Sequence, residues 1–167
     1  MKSSNRRSKI ILKYFVRYLM LFILLIIVSA ILNMNTQKQT INLDVDLNNI
    51  KSFGIIICKN SLVFMYIFSS LFIGRLNIYV MLISNAIRIG LLISSFKYPI
   101  YMLMILPHGI FEFFVFILLS AYISAHIYLK EEDKIFIFKK SAMLYILLII
   151  CAIIEAWVTP YLVFKFC

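Results

Sequence analysis

Leu106-Pro107-His108-Gly109-Ile110-Phe111-Glu112 lies inside a 31-residue run, Pro99 to Leu129, in which Glu112 is the one Asp, Glu, Lys or Arg. As a single straight helix this run would be about 46 Å long. The hydrocarbon core of a bilayer is only about 30 Å thick. The run is therefore expected to break, and Pro107 and Gly109 mark the place, because proline is favoured at the first position of a helix. Residues 100–106 then form a short interfacial or re-entrant piece. A membrane span starts near Pro107 and ends near Leu129.

The rest of the chain has the same character. It is 63% hydrophobic and 14% charged over 167 residues, where a soluble domain is about half apolar with roughly 25% charge. The excess comes in long uninterrupted stretches that a globular core could not hide. Alternation in segments of about 10 residues, the signature of an outer-membrane barrel, is absent. The expected fold is all-α: a polytopic membrane helical bundle of about five transmembrane helices, with its fourth segment broken at Pro107–Gly109.

Tyr14 to Leu32 forms the first apolar run, preceded by Lys2, Arg6, Arg7, Lys9 and Lys13. Its nineteen residues cover about 28 Å of helix, close to the hydrocarbon thickness. A signal peptide also begins with a basic region, and Val28-Ser29-Ala30 offers a small residue at its end. The length of the run and the spans that follow favour an uncleaved anchor. Residues 33–52 are polar, and Ile41 to Asn48 alternate apolar with polar, as in a short strand or an interfacial loop. The second span is expected from about Gly54 to Ile73, a turn at Gly74–Asn77, and the third span from Ile78 to Phe96. Lys130 to Lys134 is a charged turn, and the fifth span runs from Ser141 to Thr159 before Pro160. Trp157 and Tyr161 fall where an aromatic belt would lie. The organisation is thus a basic tail (1–13), a first transmembrane helix (14–32), a short extracellular loop (33–52) and a four-helix membrane core (53–167).

The net charge of +10 would suggest nucleic acid in a soluble protein. Here most basic residues lie between apolar runs, so they set topology and meet anionic headgroups. With the amino terminus inside, the inner segments hold ten Lys and Arg and the outer segments five. The positive-inside rule then places the amino terminus in the cytoplasm and the carboxyl terminus outside. Cys58, Cys151 and Cys167 show no metal spacing. Cys58 and Cys167 fall on one side of the membrane, where a disulfide is conceivable and free thiols are expected.

Ionisable residues at membrane depth are costly and point to function. In this topology Glu112 lies about 7 Å below the outer end of the fourth helix, and Glu155 about 6 Å below the outer end of the fifth. His108 and Glu112 share a face at i and i+4. Arg88 and Asn85 of the third span are near enough in depth to join them, with Arg88 pairing one glutamate. Three readings stand side by side: a structural network joining helices, a polar site for a partner or substrate, and catalysis. HxxxE could supply two ligands of a metal enzyme with Glu155. The second histidine, His126, is about 27 Å further along the helix, and no HExxH, GxSxG, paired aspartates or phosphate loop occurs. No metal and no cofactor are expected. Ser120, Ala121, Ser124 and Ala125 form two small-xxx-small pairs, suited to self-association or to internal packing.

Two motifs carry a resemblance. Pro107-His108-Gly109-Ile110-Phe111-Glu112 resembles a signature of the stage II sporulation protein M family, and Ile154-Glu155-Ala156-Trp157-Val158-Thr159-Pro160 is similar to that family's closing segment. Asn60, Asn85 and Gly90 also fit, whereas Ala86 stands where a glycine is common. The resemblance covers about residues 50–160. It implies a multi-pass protein of the bacterial cell membrane without a known cofactor. The family's namesake acts with partners in peptidoglycan remodelling during engulfment of the forespore. Small members occur in gene clusters for circular and other bacteriocins, with suggested roles in maturation, export and immunity. The short, basic, Ile- and Phe-rich form of this chain favours the bacteriocin role for a non-enzymatic subunit of a membrane complex. The alternatives are a sporulation scaffold organising peptidoglycan hydrolases and an intramembrane metal-dependent enzyme. Implied partners are the lipid bilayer, other membrane proteins of the pathway (an ABC-type exporter or cell-wall hydrolases) and a hydrophobic peptide, with no nucleic acid.

Overall fold

In lipid every backbone polar group must be satisfied within the chain, so long apolar runs become helices. The computed structural model describes the backbone of residues 2–33, 49–95, 102–130 and 134–166, and within these the side chains of 5–33, 50–95, 109–130 and 135–157. It consists of α1 (Lys2–Leu32), α2 (Asn49–Phe68), α3 (Ser70–Ile73), α4 (Leu76–Ser95), α5 (Met102–Leu129) and α6 (Lys134–Phe166), with no strand among the described residues. Five segments are long and apolar enough to cross a membrane: Asn5–Leu32, Ile50–Ile73, Leu76–Ser95, Gly109–Leu129 and Ile135–Trp157. The five-span helical bundle expected from the sequence is the one observed. Gly74 closes α3 with φ +110°, a left-handed conformation that favours glycine, and α4 starts two residues later.

Several boundaries differ from expectation. The basic tail is not separate from the first span, because α1 is already helical at Lys2. The break at Pro107–Gly109 is absent: α5 runs without interruption from Met102 to Leu129, so residues 102–106 are its first turns rather than a re-entrant piece. Pro107 is the sixth residue of that helix, where its missing N–H removes a single intrahelical bond near an end. A helix longer than the hydrocarbon core need not break, since it can tilt or protrude. Likewise α6 continues through Pro160 to Phe166. The alternating segment Ile41–Asn48 lies outside the described residues, as do Cys167 and the side chain of Tyr161, whereas residues 49–52 belong to α2.

The bundle is keyed by a parallel pair. Arg75 Nη1 donates to the Tyr14 hydroxyl at 2.8 Å, and Asn33 Nδ2 donates to Ser94 Oγ at 2.7 Å; both pairs are 61 residues apart. Tyr18 and Tyr79, at the same spacing, meet edge to face at 5.5 Å. So do Ser29 and Gly90. One constant offset from Tyr14 to Asn33 means that α1 and α4 run in the same direction, in register over most of their length. Gly90 is what permits the approach at the far end. A Cβ there would run into the Ser29 side chain and lie 2.6 Å from the Ile26 carbonyl oxygen.

The other pairings run in reverse. Tyr14 meets Tyr128 and Phe22 meets Phe113, so α5 is antiparallel to α1. Phe53 meets Trp157, Phe64 meets Tyr145 and Phe68 meets Phe138, so α6 is antiparallel to α2. These directions are those of five alternating crossings. α5 is central: 56% of its span is buried within the chain, against 17% for α1 and for α2. Ser120, Ala121, Ser124 and Ala125 are all buried. The small residues therefore serve contact within the chain. They leave room for Tyr18, which is fully buried and hydrogen-bonded to Ser124 Oγ at 2.6 Å.

Three outcomes are expected. Gly90→Ala overpacks the α1–α4 contact and lowers unfolding stability in detergent by about 1–3 kcal/mol. Gly54→Ala, on an exposed part of α2 with nothing within 4 Å, is neutral or stabilising by up to about 1 kcal/mol. Tyr18→Phe strands the Ser124 hydroxyl and costs about 0.6–2 kcal/mol, read from the midpoint of a denaturant titration.

Candidate functional site

Each transmembrane helix turns one stripe inward. On α5 that stripe includes Gly109, Glu112, Val115, Phe116 and Leu119, all buried at i, i+3, i+4 spacing. Glu112 is thus forced inward by its register, and is 8% exposed. On α6 the stripe includes Leu148, Cys151, Ala152 and Ala156, with Glu155 half-buried on its edge. On α2 it includes Phe53, Asn60, Phe64 and Ile67, with Ser61 beside them. The three polar positions, Asn60, Glu112 and Glu155, therefore come from three different helices and face a common interior.

They meet there. Asn60 Nδ2 donates a hydrogen bond to Glu112 Oε1. The Glu112 and Glu155 side chains hydrogen-bond one another; in such a contact a carboxyl O–H donates to the other carboxyl oxygen. The charge of Lys59, which is exposed on α2, acts on Glu155. Cys151, one turn before Glu155 on α6, is buried and lies in the electrostatic field of both glutamates. The neighbouring Ser61 hydroxyl is 2.8 Å from that of Tyr145, which fastens α2 to α6 below the site. Cys58 and Cys151 carry free thiols.

The two glutamates that depth arithmetic paired are therefore together. The other expected members fall elsewhere. Arg88 is exposed on α4, two residues off the buried stripe Ile78, Leu82, Ala86 and Gly90. Among the described residues it makes no ion pair with Glu112 or Glu155; the cation beside the pair is Lys59 from α2. Asn85 is half-buried on the same helix, and no hydrogen bond joins it to the carboxyl groups among the described residues. Pro107 and His108 lie within α5, but their side chains are outside the described residues, so the expected His108–Glu112 face is not described. Among the described residues no three His, Cys, Asp or Glu side chains converge on a point.

Asn60 is the member that the depth argument passed over. Its signal was the polar triplet Lys59-Asn60-Ser61 in an otherwise apolar span. A polar run of this kind inside a membrane helix is expected to find partners on neighbouring helices; Asn60 and Ser61 do so by hydrogen bonds, and Lys59 acts on Glu155 through its charge.

Chemically the arrangement offers two carboxyl groups, one amide and a nearby ammonium, close to the start of the membrane-length segment Gly109–Leu129. It can hold a proton, a cation or a hydrogen-bonding group of another chain. No curated protein and no solved structure matches the chain. The family model described as Stage II sporulation protein M matches residues 19–160, a range that contains Asn60, Glu112 and Glu155, and the chain belongs to that family of membrane proteins.

Proposed function

We propose that this protein is a non-enzymatic subunit of a bacterial membrane complex that matures, exports or confers immunity to a circular bacteriocin. In this reading the Asn60–Glu112–Glu155 centre holds a polar group of a partner: another membrane protein of the pathway, such as an ABC-type exporter, or the hydrophobic peptide itself. The amino terminus is cytoplasmic and the carboxyl terminus extracellular, in keeping with ten inner against five outer basic residues. The centre then opens toward the outer leaflet.

The observation that carries the proposal is the contact between two carboxyl groups on helices of opposite direction, steadied from a third helix by Asn60. Glu112 is buried, while Glu155 remains half-buried. A group arriving from a neighbouring chain therefore meets Glu155 with its partner already oriented behind it. Preorganisation of this kind lowers the ordering cost of binding. A second reading is a sporulation scaffold that organises peptidoglycan hydrolases from the membrane, for which the support is the sporulation name of the matched family.

Glu112→Gln and Glu155→Gln keep side-chain shape and remove the carboxyl chemistry. Each is expected to reduce co-purification of partners and bacteriocin release by at least tenfold, with membrane insertion and α-helical content unchanged. Wild-type pull-down and secretion in both variants would sink the proposal. For the scaffold reading, deletion in a spore-forming host should stall engulfment, and the gene's presence in a non-sporulating host excludes it.

A further inference from the structure

At the membrane face where α1 begins, a cleft of about 430 Å³ opens between α1 and the end of α5, lined by Asn5, Arg6, Lys9, Lys13, Tyr14 and Tyr128. Its size is within the usual range for small-molecule sites. Arg6, Lys9 and Lys13 fall on one stripe of α1 at i, i+3 and i+7, and all three are exposed. Like charges at this spacing repel, and Lys9 and Lys13, one turn apart, weaken the helix they stand on. The α1 helix carries no acidic residue to offset them.

The back of the cleft is built rather than incidental. Tyr14 is 8% exposed, and its hydroxyl accepts a hydrogen bond from Arg75. The Arg75 guanidinium also stands 5.6 Å from the Tyr14 ring centre and 6.0 Å from that of Tyr128. Cation–π contact and the hydrogen bond hold both rings in place from behind. A fourth positive charge thus backs the three that line the opening. Lys13 immediately precedes Tyr14, the first residue of the long apolar run. The cleft therefore lies at the boundary between hydrocarbon and headgroup, with cations on the water side and aromatic rings on the lipid side.

We infer that this cleft is a binding site for the phosphate headgroup of an anionic phospholipid, with Arg6, Lys9 and Lys13 contacting phosphate oxygens and Tyr14 and Tyr128 packing on the glycerol backbone. The shared chemistry is a phosphate anion. A lipid is the source because the cleft opens where headgroups lie and because exposed apolar residues of α1 (Val16, Met20 and Leu24) continue below it toward the bilayer centre. Basic pockets between helix ends are suited to lipids of this class.

Native mass spectrometry of the full chain in detergent, with added dianionic cardiolipin, phosphatidylglycerol or zwitterionic phosphatidylcholine, tests the inference. Wild-type protein should retain the anionic lipids and not phosphatidylcholine. The triple variant Arg6→Gln, Lys9→Gln, Lys13→Gln should lose on the order of 100-fold in affinity, at about fivefold per cation. A control with equal charge loss on the same face, Lys130→Gln, Lys139→Gln, Lys140→Gln, should change less than twofold. Equal losses in the two triple variants would overturn the site in favour of general electrostatics. Displacement of lipid by inorganic phosphate at equal concentration would overturn the lipid as its ligand. Equal retention of anionic and zwitterionic lipid by the wild type would also overturn it.

Discussion

Hydrocarbon offers no hydrogen bonds, so a polar side chain on the inward stripe of a span is costly unless another helix or its own backbone answers it. This requirement organises the bundle. Dispersion packing between apolar helices is weakly directional, and lipid tails compete with it on nearly equal terms. The polar pairs are directional, and they are distributed over the main helix contacts. Arg75–Tyr14 and Asn33–Ser94 join α4 to α1. Tyr18–Ser124 joins α1 to α5. Asn60–Glu112 joins α2 to α5, and Ser61–Tyr145 joins α2 to α6. At about 0.6–2 kcal/mol each, such bonds are individually modest. Together they select one register among the many that an Ile- and Phe-rich surface would tolerate.

The same requirement explains which features were legible from the residues. Five spans follow from length and composition, because both are set by the bilayer rather than by the partner helices. The pairing of Glu112 with Glu155 follows from depth alone, since helices rise by a fixed amount per residue. Azimuth is harder to read. When a helix is apolar all round, periodicity does not say which face is inward. Arg88 is at a suitable depth but is two positions from the stripe of Ile78, Leu82, Ala86 and Gly90, and so lies on the surface of α4. Asn60 lies on the inward stripe of α2 and reaches Glu112. Pro107 was misleading for another reason. The length of the Pro99–Leu129 run suggests a break only if a helix must end where the hydrocarbon does, and α5 does not.

The parallel α1–α4 pair shows how a small residue and a polar pair cooperate. Gly90 brings the backbones together beside Ser29, and Asn33–Ser94 bonds one turn beyond. At the other end Arg75 caps the same contact through Tyr14. The pair is thus pinned at both ends, and its constant spacing leaves no freedom to slide by a turn without breaking both bonds at once. α5 then packs against a rigid surface, which is why its small residues can accept the bulk of Tyr18.

Both polar features of the molecule involve α5, near the two ends of its membrane-length segment Gly109–Leu129. Glu112 and Tyr128 are separated by about 24 Å of helix, somewhat less than the hydrocarbon thickness. The carboxyl centre and the cationic cleft are consequently near opposite faces of the membrane, where the cost of a charge falls and where water, headgroups and soluble parts of other chains can reach. Between them α5 is mainly small and apolar; the Ser120 hydroxyl turns to the Phe116 carbonyl, the Ser124 hydroxyl bonds Tyr18, and the half-buried His126 keeps a buried Nδ1 without a hydrogen-bond partner among the described residues. A rigid, buried helix that carries an acidic centre at one face and an aromatic wall of a basic cleft at the other holds the two at a fixed separation. Under the two proposals above, the acidic centre would meet a partner at one face while the basic cleft binds lipid at the other.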